Sequence, residues 1–242
     1  AGDKHFLAIL AQSIGSTFAA QGVLGQCIPW LLRAAQLQEY METDYERFRS
    51  DSSTAAVLAM SGRYLDGLSL SGRTVTRALE SKQSASLALC YMNRALMLRL
   101  CGEQAAVHEA ATKALSYAEK SGELLLAHSA CCILGWACCL AGRFDEGKRF
   151  LLQSKQLVPS HDGQLIFADC FAAAEADIAL REGDLNLAIT LASELVPRFR
   201  TGEHFLGLAI SEQVWGLALG YHDLTQSRES DLHLSIALQV ME

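Results

Sequence analysis

Glycines spaced about 40 residues apart run along this chain of 242 residues. Their successive spacings are 40, 40, 40, 41 and 37 residues, and a second, weaker set of glycines alternates with them. A period of this length predicts stacked structural repeats rather than a globule with one irregular core. The first set comprises Gly22, Gly62, Gly102, Gly142, Gly183 and Gly220, and the second comprises Gly122, Gly163 and Gly202.

The segments on either side of each glycine have the pattern of amphipathic helices. Apolar residues recur at three- and four-residue spacing, and the chain contains only 3 prolines against 18 glycines. We therefore expect an all-α protein, a single domain over residues 1–242, in which about six antiparallel helix pairs stack into a right-handed superhelix. The first helix of each pair is expected to line the inner wall. The predicted repeats are residues 4–42, 44–81, 82–122, 123–163, 164–202 and 203–242.

Three local features are expected to limit individual helices. The polar run Arg49–Thr54 is expected to break or delay the first helix of the second repeat, because short polar side chains compete for backbone hydrogen bonds. Pro159 and Pro197 are expected to end the second helices of the fourth and fifth repeats. Asp184 is expected to cap the N-terminus of the last of these helices.

The fourth repeat resembles the tetratricopeptide repeat. That family has a Leu-Gly pair, a glycine seven residues later, a small residue five residues further on and a late proline. Here the period is near 40 instead of about 34, so the helices are expected to be longer than in the standard repeat. The matching residues are Leu134, Gly135, Gly142, Gly147, Ser154 and Pro159, with Cys131 and Cys138 in place of the usual aromatic residues.

Long, degenerate repeats of this kind resemble the C-terminal arm of large bacterial signalling ATPases. These include cyclases with an ATPase-plus-repeat tail and transcription activators of the maltose-regulon type. The resemblance implies that the chain is a fragment of such a protein. It also implies that the arm receives a signal from a protein or peptide partner, from other domains of the same chain, or alternatively from a small effector bound in its groove.

Composition restricts the partners further. The net charge is −7 and no block of lysine and arginine occurs, so neither nucleic acid nor an anionic membrane is expected as a direct partner. The uncharged run from Leu124 to Gly142 is long enough to suggest a membrane span. Because His128 and Ser129 interrupt it and small residues dominate it, we expect a helix buried between its neighbours.

Eight cysteines raise the possibility of redox or metal chemistry. No C-x-x-C motif and no zinc-ligand spacing occurs. The pairs Cys131/Cys138 and Cys132/Cys139 are each about 10 Å apart along a helix, which is too far for a disulfide. We interpret the cysteines as small core residues of a cytoplasmic protein.

No motif for nucleotide binding, metal hydrolysis or nucleophilic catalysis is present, so we expect no enzyme, no catalytic or metal-ligating residue and no cofactor. His128, on an apolar helix, is expected to be a hydrogen-bonded core residue.

The tetratricopeptide register places a set of side chains on the inner wall. We predict a possible groove site at Trp136, Arg99, Asp177, Arg181 and Met92, with one aromatic platform and several charged anchors. The alternative is that Trp136 is packed core and the charges are surface residues. The other predicted groove positions are Gln12, Ser16, Leu96, Ser129, Cys132 and Cys139.

Overall fold

The structure, a computed structural model, describes residues 3–20, 23–157, 168–202, 204–222 and 226–241. Within them the regular structure is helical, with one short 3-10 helix at Gln38–Tyr40. The α-helices are α1 (Lys4–Ala20), α2 (Leu24–Gln36), α3 (Asp44–Met60), α4 (Tyr64–Ser81), α5 (Ser84–Leu100), α6 (Gln104–Ser121), α7 (Leu124–Leu140), α8 (Phe144–Leu157), α9 (Ala168–Glu182), α10 (Leu185–Thr201), α11 (Phe205–His222) and α12 (Ser227–Met241).

Consecutive helices pair, and the pairs stack in chain order. Each odd-numbered helix contacts the next odd-numbered helix, so α1, α3, α5, α7, α9 and α11 form a continuous inner layer. The even-numbered helices form the outer layer. The predicted all-α, right-handed superhelix of six antiparallel pairs is therefore confirmed. The curvature also brings α11 against α3, and Ile210 of α11 packs on the central apolar cluster.

The turns within the pairs are made where the glycine series predicts them. Gly62, Gly102, Gly142 and Gly183 have φ values of +86°, +78°, +75° and +84°, in the left-handed region that favours glycine. Gly22 of the first glycine set, Gly163 of the second set and the predicted helix stop at Pro159 lie outside the described residues.

Gly220 is not a turn glycine, which corrects the last member of the series. It lies inside α11, which continues to His222. The residue of this repeat that corresponds to Gly135 is Gly216. A Cβ atom at Gly135 would lie 2.8 Å from Leu151, and one at Gly216 would lie 2.9 Å from Leu234. Both glycines thus allow a leucine of the next helix to approach closely.

The polar run Arg49–Thr54 does not break its helix, contrary to our expectation. It lies inside α3, whose N-terminus carries a capping box formed by Thr43 and Glu46. Residues 50–54 are all buried. The side chains of residues 51–54 find partners on other helices instead of competing for the α3 backbone, whereas Ser50 Oγ has no hydrogen-bond partner among the described residues. The contacts are Asp51 to Arg77 at 2.9 Å, Ser52 to Cys90 at 3.7 Å, Ser53 to Gln12 at 3.2 Å and Thr54 to the Leu31 carbonyl at 3.5 Å.

Pro197 does not end α10 either, because the helix runs on to Thr201. The following turn carries Phe199, which is almost fully buried against Leu195 and Leu208. We attribute the continuation of the helix to this burial, which offsets the hydrogen bond that proline cannot donate. At the other end of α10, Asp184 accepts a hydrogen bond from the Leu187 amide at 3.1 Å and caps the helix, as predicted.

The apolar helix α7 is buried on all sides. It contacts α5, α6, α8 and α9, and every residue from Ala127 to Cys139 is buried. No helix in the described part of the chain is both long and apolar enough to cross a membrane. The cysteines with described side chains are not in disulfides, and all of them except Cys101 are buried.

A buried acid connects the last three helices. Glu212 of α11 is fully buried and contacts Arg200 of α10 at 2.6 Å and His233 of α12 at 2.5 Å. The His233 ring stacks on Trp215, with 4.0 Å between ring centroids. Because a buried carboxylate needs charged or hydrogen-bonding partners, Glu212 holds three helices together at one point.

The close contact between α7 and α8 depends on two facing glycines, Gly135 and Gly147. A Cβ atom at Gly147 would lie 2.8 Å from the Gly135 carbonyl oxygen, a backbone atom that cannot rotate away. We expect Gly147→Ala to lower the free energy of unfolding by about 2 kcal/mol through overpacking, as measured by urea denaturation.

Gly142→Ala is the matched control, since nothing lies within 4 Å of its Cβ position. Only the strain of a positive φ should then act, at about 1 kcal/mol. If Gly147→Ala cost no more than Gly142→Ala, the close approach of α7 and α8 would not contribute to stability.

Candidate functional site on the inner wall

Four of the five predicted groove residues meet in one cluster. The indole Nε1 of Trp136 donates a hydrogen bond to Asp177 Oδ2 at 2.9 Å, and Arg181 Nε donates to Asp177 Oδ1 at 2.9 Å. The guanidinium of Arg99 stacks on the Trp136 ring, 4.0 Å from its centroid, and its Nη2 lies 4.0 Å from Asp177 Oδ2. We call these four residues the arginine–tryptophan cluster.

The repeat period explains why these residues meet. Trp136 and Asp177 are 41 residues apart and occupy equivalent positions on the inner helices α7 and α9. Arg99 lies on α5, the inner helix of the preceding repeat. It follows Leu96, the α5 residue equivalent to Trp136, by about one helical turn. Arg181 follows Asp177 by four residues and so shares its helix face. Three successive repeats therefore contribute to one cluster.

The cluster is layered from the interior outward. Trp136 is only 2% exposed because neighbouring helices cover it and the guanidinium of Arg99 stacks on its ring. Asp177 is buried, the Arg99 side chain is 17% exposed, and the Arg181 side chain is 45% exposed. A molecule arriving from solvent would therefore meet Arg181 and Arg99 before the indole. Trp136 supports this surface from beneath instead of offering an open aromatic platform.

The arginine–tryptophan cluster contains more positive than negative charge. Two guanidinium groups share the single carboxylate of Asp177. Two further acids of α9, Glu175 and Glu182, are paired with lysines of α8. The pKa of Arg99 is lowered to about 10, chiefly by burial; Asp177 partly offsets this effect, and the positive charge of Arg181 adds to it. Arg99 remains protonated at neutral pH, so the cluster carries one excess positive charge.

The remaining predicted groove positions are filled with packed side chains. Met92 and Leu96 lie in the central apolar cluster, with Met92 about 10 Å before Arg99 along α5, so Met92 does not join the arginine–tryptophan cluster. Gln12 donates to both Ser16 and Ser53 at 3.2 Å. Ser129, Cys132 and Cys139 are buried. The inner wall is thus closely packed along much of its length, and the arginine–tryptophan cluster brings the charged side chain of Arg181 to solvent.

A second polar group surrounds His128, which is buried and hydrogen-bonded as predicted. His128 Nδ1 lies 3.0 Å from Ser154 Oγ and 3.1 Å from the Ser154 carbonyl, and Ser154 Oγ lies 3.0 Å from Cys132 Sγ. These residues border a cavity of about 100 Å³ between α7, α8 and α9, with Phe171 and Glu175 on its far side. Ligand pockets usually occupy about 300–1,000 Å³, so this cavity is small for a metabolite.

The arrangement of Cys132, His128 and Ser154 does not produce a reactive thiol. Burial raises the pKa of Cys132 to about 12, and the hydrogen bond to Ser154 offsets only part of that rise. Thiolate is the nucleophilic form of cysteine, and almost none is present near neutral pH.

We therefore expect iodoacetamide at pH 7.5 to modify Cys132 in the native protein at least about a hundredfold more slowly than an ordinary thiol. Mass spectrometry of the digested protein would measure this against Cys101, which is only half-buried. In urea the two residues should react at similar rates. Rapid native labelling of Cys132 would contradict the burial that sets its pKa.

Several residues that build the interior were missed by the sequence interpretation. The buried acid Glu212 and its partners Arg200 and His233 lie on three helices, 12 and 21 residues apart in sequence. The pairs of Lys148 with Glu182 and of Lys155 with Glu175 were missed as well. No local motif marks any of these pairs; only a correct alignment of helix faces in successive repeats could have found them.

Comparison with known proteins supports the fold. No protein-family model matches the chain, and no curated protein matches it. Among solved structures, the chain is similar to a Rap protein complexed with Competence and Sporulation Factor, with 15% identity, a TM-score of 0.65 and 97% of this chain covered. It is also similar to aspartyl phosphate phosphatase F from Bacillus subtilis, with 13% identity, a TM-score of 0.66 and 100% covered.

These similarities establish a tetratricopeptide-like helical repeat domain. The chain spans 65% of the first structure and 61% of the second, less than two thirds of each.

Proposed function

We propose that the chain is a non-catalytic regulatory repeat module that binds a protein or peptide partner at the arginine–tryptophan cluster. The observation that carries the proposal is that two guanidinium groups from different repeats share one carboxylate where the inner wall meets solvent. Charged anchors over a buried aromatic residue are typical of the energetically important part of an interface. A structural neighbour solved in complex with Competence and Sporulation Factor supports a binding role for this architecture.

The test is to select binders from a random short-peptide library on the immobilised protein and to map them by hydrogen–deuterium exchange. Bound peptides should protect the inner helices α5, α7 and α9, while the outer helices α6 and α10 serve as the internal control. Selected peptides that protected only outer helices would overturn the proposal, and so would a library that yielded no binder.

The non-catalytic part of the proposal has its own test, because one structural neighbour is named a phosphatase. We expect the protein to leave the hydrolysis rate of acetyl phosphate, an acyl phosphate, at its uncatalysed value. Acceleration that survived purification and disappeared in a variant of an inner-wall residue would show that the chain is an enzyme.

We further propose that this module works within a larger bacterial signal-transduction or transcription-regulatory protein in the cytoplasm. The resemblance to the repeat arms of signalling ATPases motivates this, and the lengths of the two structural neighbours are consistent with it. An ATPase or cyclase domain in the same reading frame would be the expected finding. A reading frame that encoded only these residues would contradict it.

A small effector is the alternative occupant of the inner wall. The cavity beside His128, bordered by polar side chains, favours it for a very small ligand, since its volume is only about 100 Å³. In that case individual metabolites should raise the melting temperature of the protein, and a Cys132→Leu variant, which fills the cavity, should abolish the rise. A metabolite screen with no thermal shift would leave the peptide-binding proposal as the better one.

A further inference from the structure

Arg99 has hydrogen-bonding capacity that its surroundings do not use. An arginine side chain carries five N–H donors. The Nε atom of Arg99 is buried and has no hydrogen-bond partner among the described residues. Its Nη2 lies 4.0 Å from Asp177 Oδ2, which is too long for a hydrogen bond, and that oxygen already accepts from Trp136. A buried donor without an acceptor is costly. The Arg99 side chain is 17% exposed, so a group arriving from solvent can approach the guanidinium.

The position of Arg99 is nevertheless fixed. Its guanidinium lies over the Trp136 ring at 4.0 Å from the centroid, and the ring is held by its own hydrogen bond to Asp177. Cation–π stacking of this kind orients the guanidinium without using its N–H donors. An acceptor in the plane of the guanidinium would therefore find donors already in place, which lowers the entropic cost of binding.

We propose that the arginine–tryptophan cluster binds a carboxylate of the partner peptide, held between Arg99 and Arg181. This inference rests on the proposed function, because it names the chemical group recognised at the same site. Arg99 and Arg181 both approach the Asp177 carboxylate, so one further carboxylate can reach both of them. Guanidinium groups bind carboxylates through parallel N–H···O bonds, and such charge-assisted bonds are stronger than neutral ones.

The size of the excess charge favours a carboxylate over a phosphate. The cluster has two cationic groups and one anionic group, so a ligand with a single negative charge makes it neutral. A phosphate monoester carries about −1.5 to −2 charges at neutral pH and would leave a net negative charge beside the buried Asp177.

Asp177 gives the proposal a distinctive signature, because it competes with the ligand for the same arginines. In Asp177→Asn the amide oxygen can still accept the Trp136 hydrogen bond, but the internal negative charge is gone. We expect carboxylate affinity to rise about fivefold or more in this variant, since a like charge no longer opposes the ligand. Arg99→Gln and Arg181→Gln should each lower it about tenfold, the loss expected for one charged hydrogen bond.

The experiment is an NMR titration that follows the arginine Nε–Hε resonances of the protein. The probe is N-acetylglycine, which carries a free carboxylate, and N-acetylglycinamide is its neutral counterpart. N-acetylglycine should shift the Arg99 and Arg181 signals in a saturable way, N-acetylglycinamide should not, and inorganic phosphate should bind more weakly. Arg33→Gln, an exposed arginine of α2, is the matched control and should leave the titration unchanged.

The result that would overturn the proposal is a titration in which N-acetylglycine and N-acetylglycinamide behave alike, or in which Asp177→Asn weakens binding. Tighter binding of phosphate than of N-acetylglycine would assign the site to phosphate and would also overturn it. These outcomes are independent of the peptide selection described above. If selected peptides still protected α5, α7 and α9, the proposed function would stand and only the carboxylate inference would fail.

Discussion

Replacing Trp136 with alanine is expected to lower the free energy of unfolding by about 3–5 kcal/mol, the range for removing a large buried aromatic side chain. Trp136 is among the largest fully buried side chains of the protein and packs against Ala174 and Ile178 of α9. Its loss would leave a cavity, remove the hydrogen bond to Asp177 and remove the surface on which Arg99 stacks. Urea denaturation followed by circular dichroism measures the change.

Two further variants separate the contributions of Trp136. Trp136→Phe keeps an aromatic ring beneath Arg99 but removes the N–H donor, so we expect a smaller loss of about 1–2 kcal/mol. Trp30→Ala is the matched control, because Trp30 on α2 is 40% exposed and should cost well under half as much as Trp136→Ala. Equal effects at Trp30 and Trp136 would mean that the inner wall is not packed as described.

Replacing Arg200 with methionine is expected to lower the free energy of unfolding by about 3 kcal/mol, the low end for breaking a buried ion pair. Glu212 is fully buried, and Arg200 is its one permanently charged partner among the described residues. Without Arg200, His233 would be the one remaining partner of the buried carboxylate among the described residues. A buried charge with too few partners is destabilising.

A second variant tests whether an uncompensated buried charge causes this loss of stability. Adding Glu212→Gln to the Arg200→Met variant removes the buried charge while keeping a hydrogen-bonding side chain near His233. We expect the double variant to regain most of the lost stability in the same denaturation assay. If the double variant were as unstable as Arg200→Met, the loss would come from the packing of the arginine stem and not from an uncompensated charge.

The helix pairs could be predicted from the sequence because their turns depend on local chemistry. A chain reversal with positive φ favours glycine whatever the surroundings, so Gly62, Gly102, Gly142 and Gly183 mark the turns directly. The arginine–tryptophan cluster could be anticipated for a related reason. A constant period assigns Trp136 and Asp177 to equivalent inner positions, and equivalent positions on stacked helices are neighbours. The binding role of the cluster stays a prediction.

The sequence-based predictions that were wrong concern positions where tertiary contacts outweigh the local conformational preference. Ser53 and Asp51 look like helix breakers in isolation, but partners 41 and 26 residues away satisfy their side chains inside α3. Pro197 looks like a helix stop, but the burial of Phe199 keeps α10 helical. Gly220 fits the glycine series by type only, since α11 continues past it. None of these outcomes can be recognised from the few neighbouring residues in the sequence.

The pairing of Arg99 with Asp177 has a mechanical consequence. Neighbouring repeats of the superhelix are joined by apolar contacts that are rich in alanine. Arg99 on α5 and Asp177 on α9 lie two repeats apart, so their attraction spans the intervening inner helix α7. Stretching the superhelix must separate these charges, whereas compression brings them closer. The molecule should therefore resist extension more strongly between α5 and α9 than along the rest of its axis.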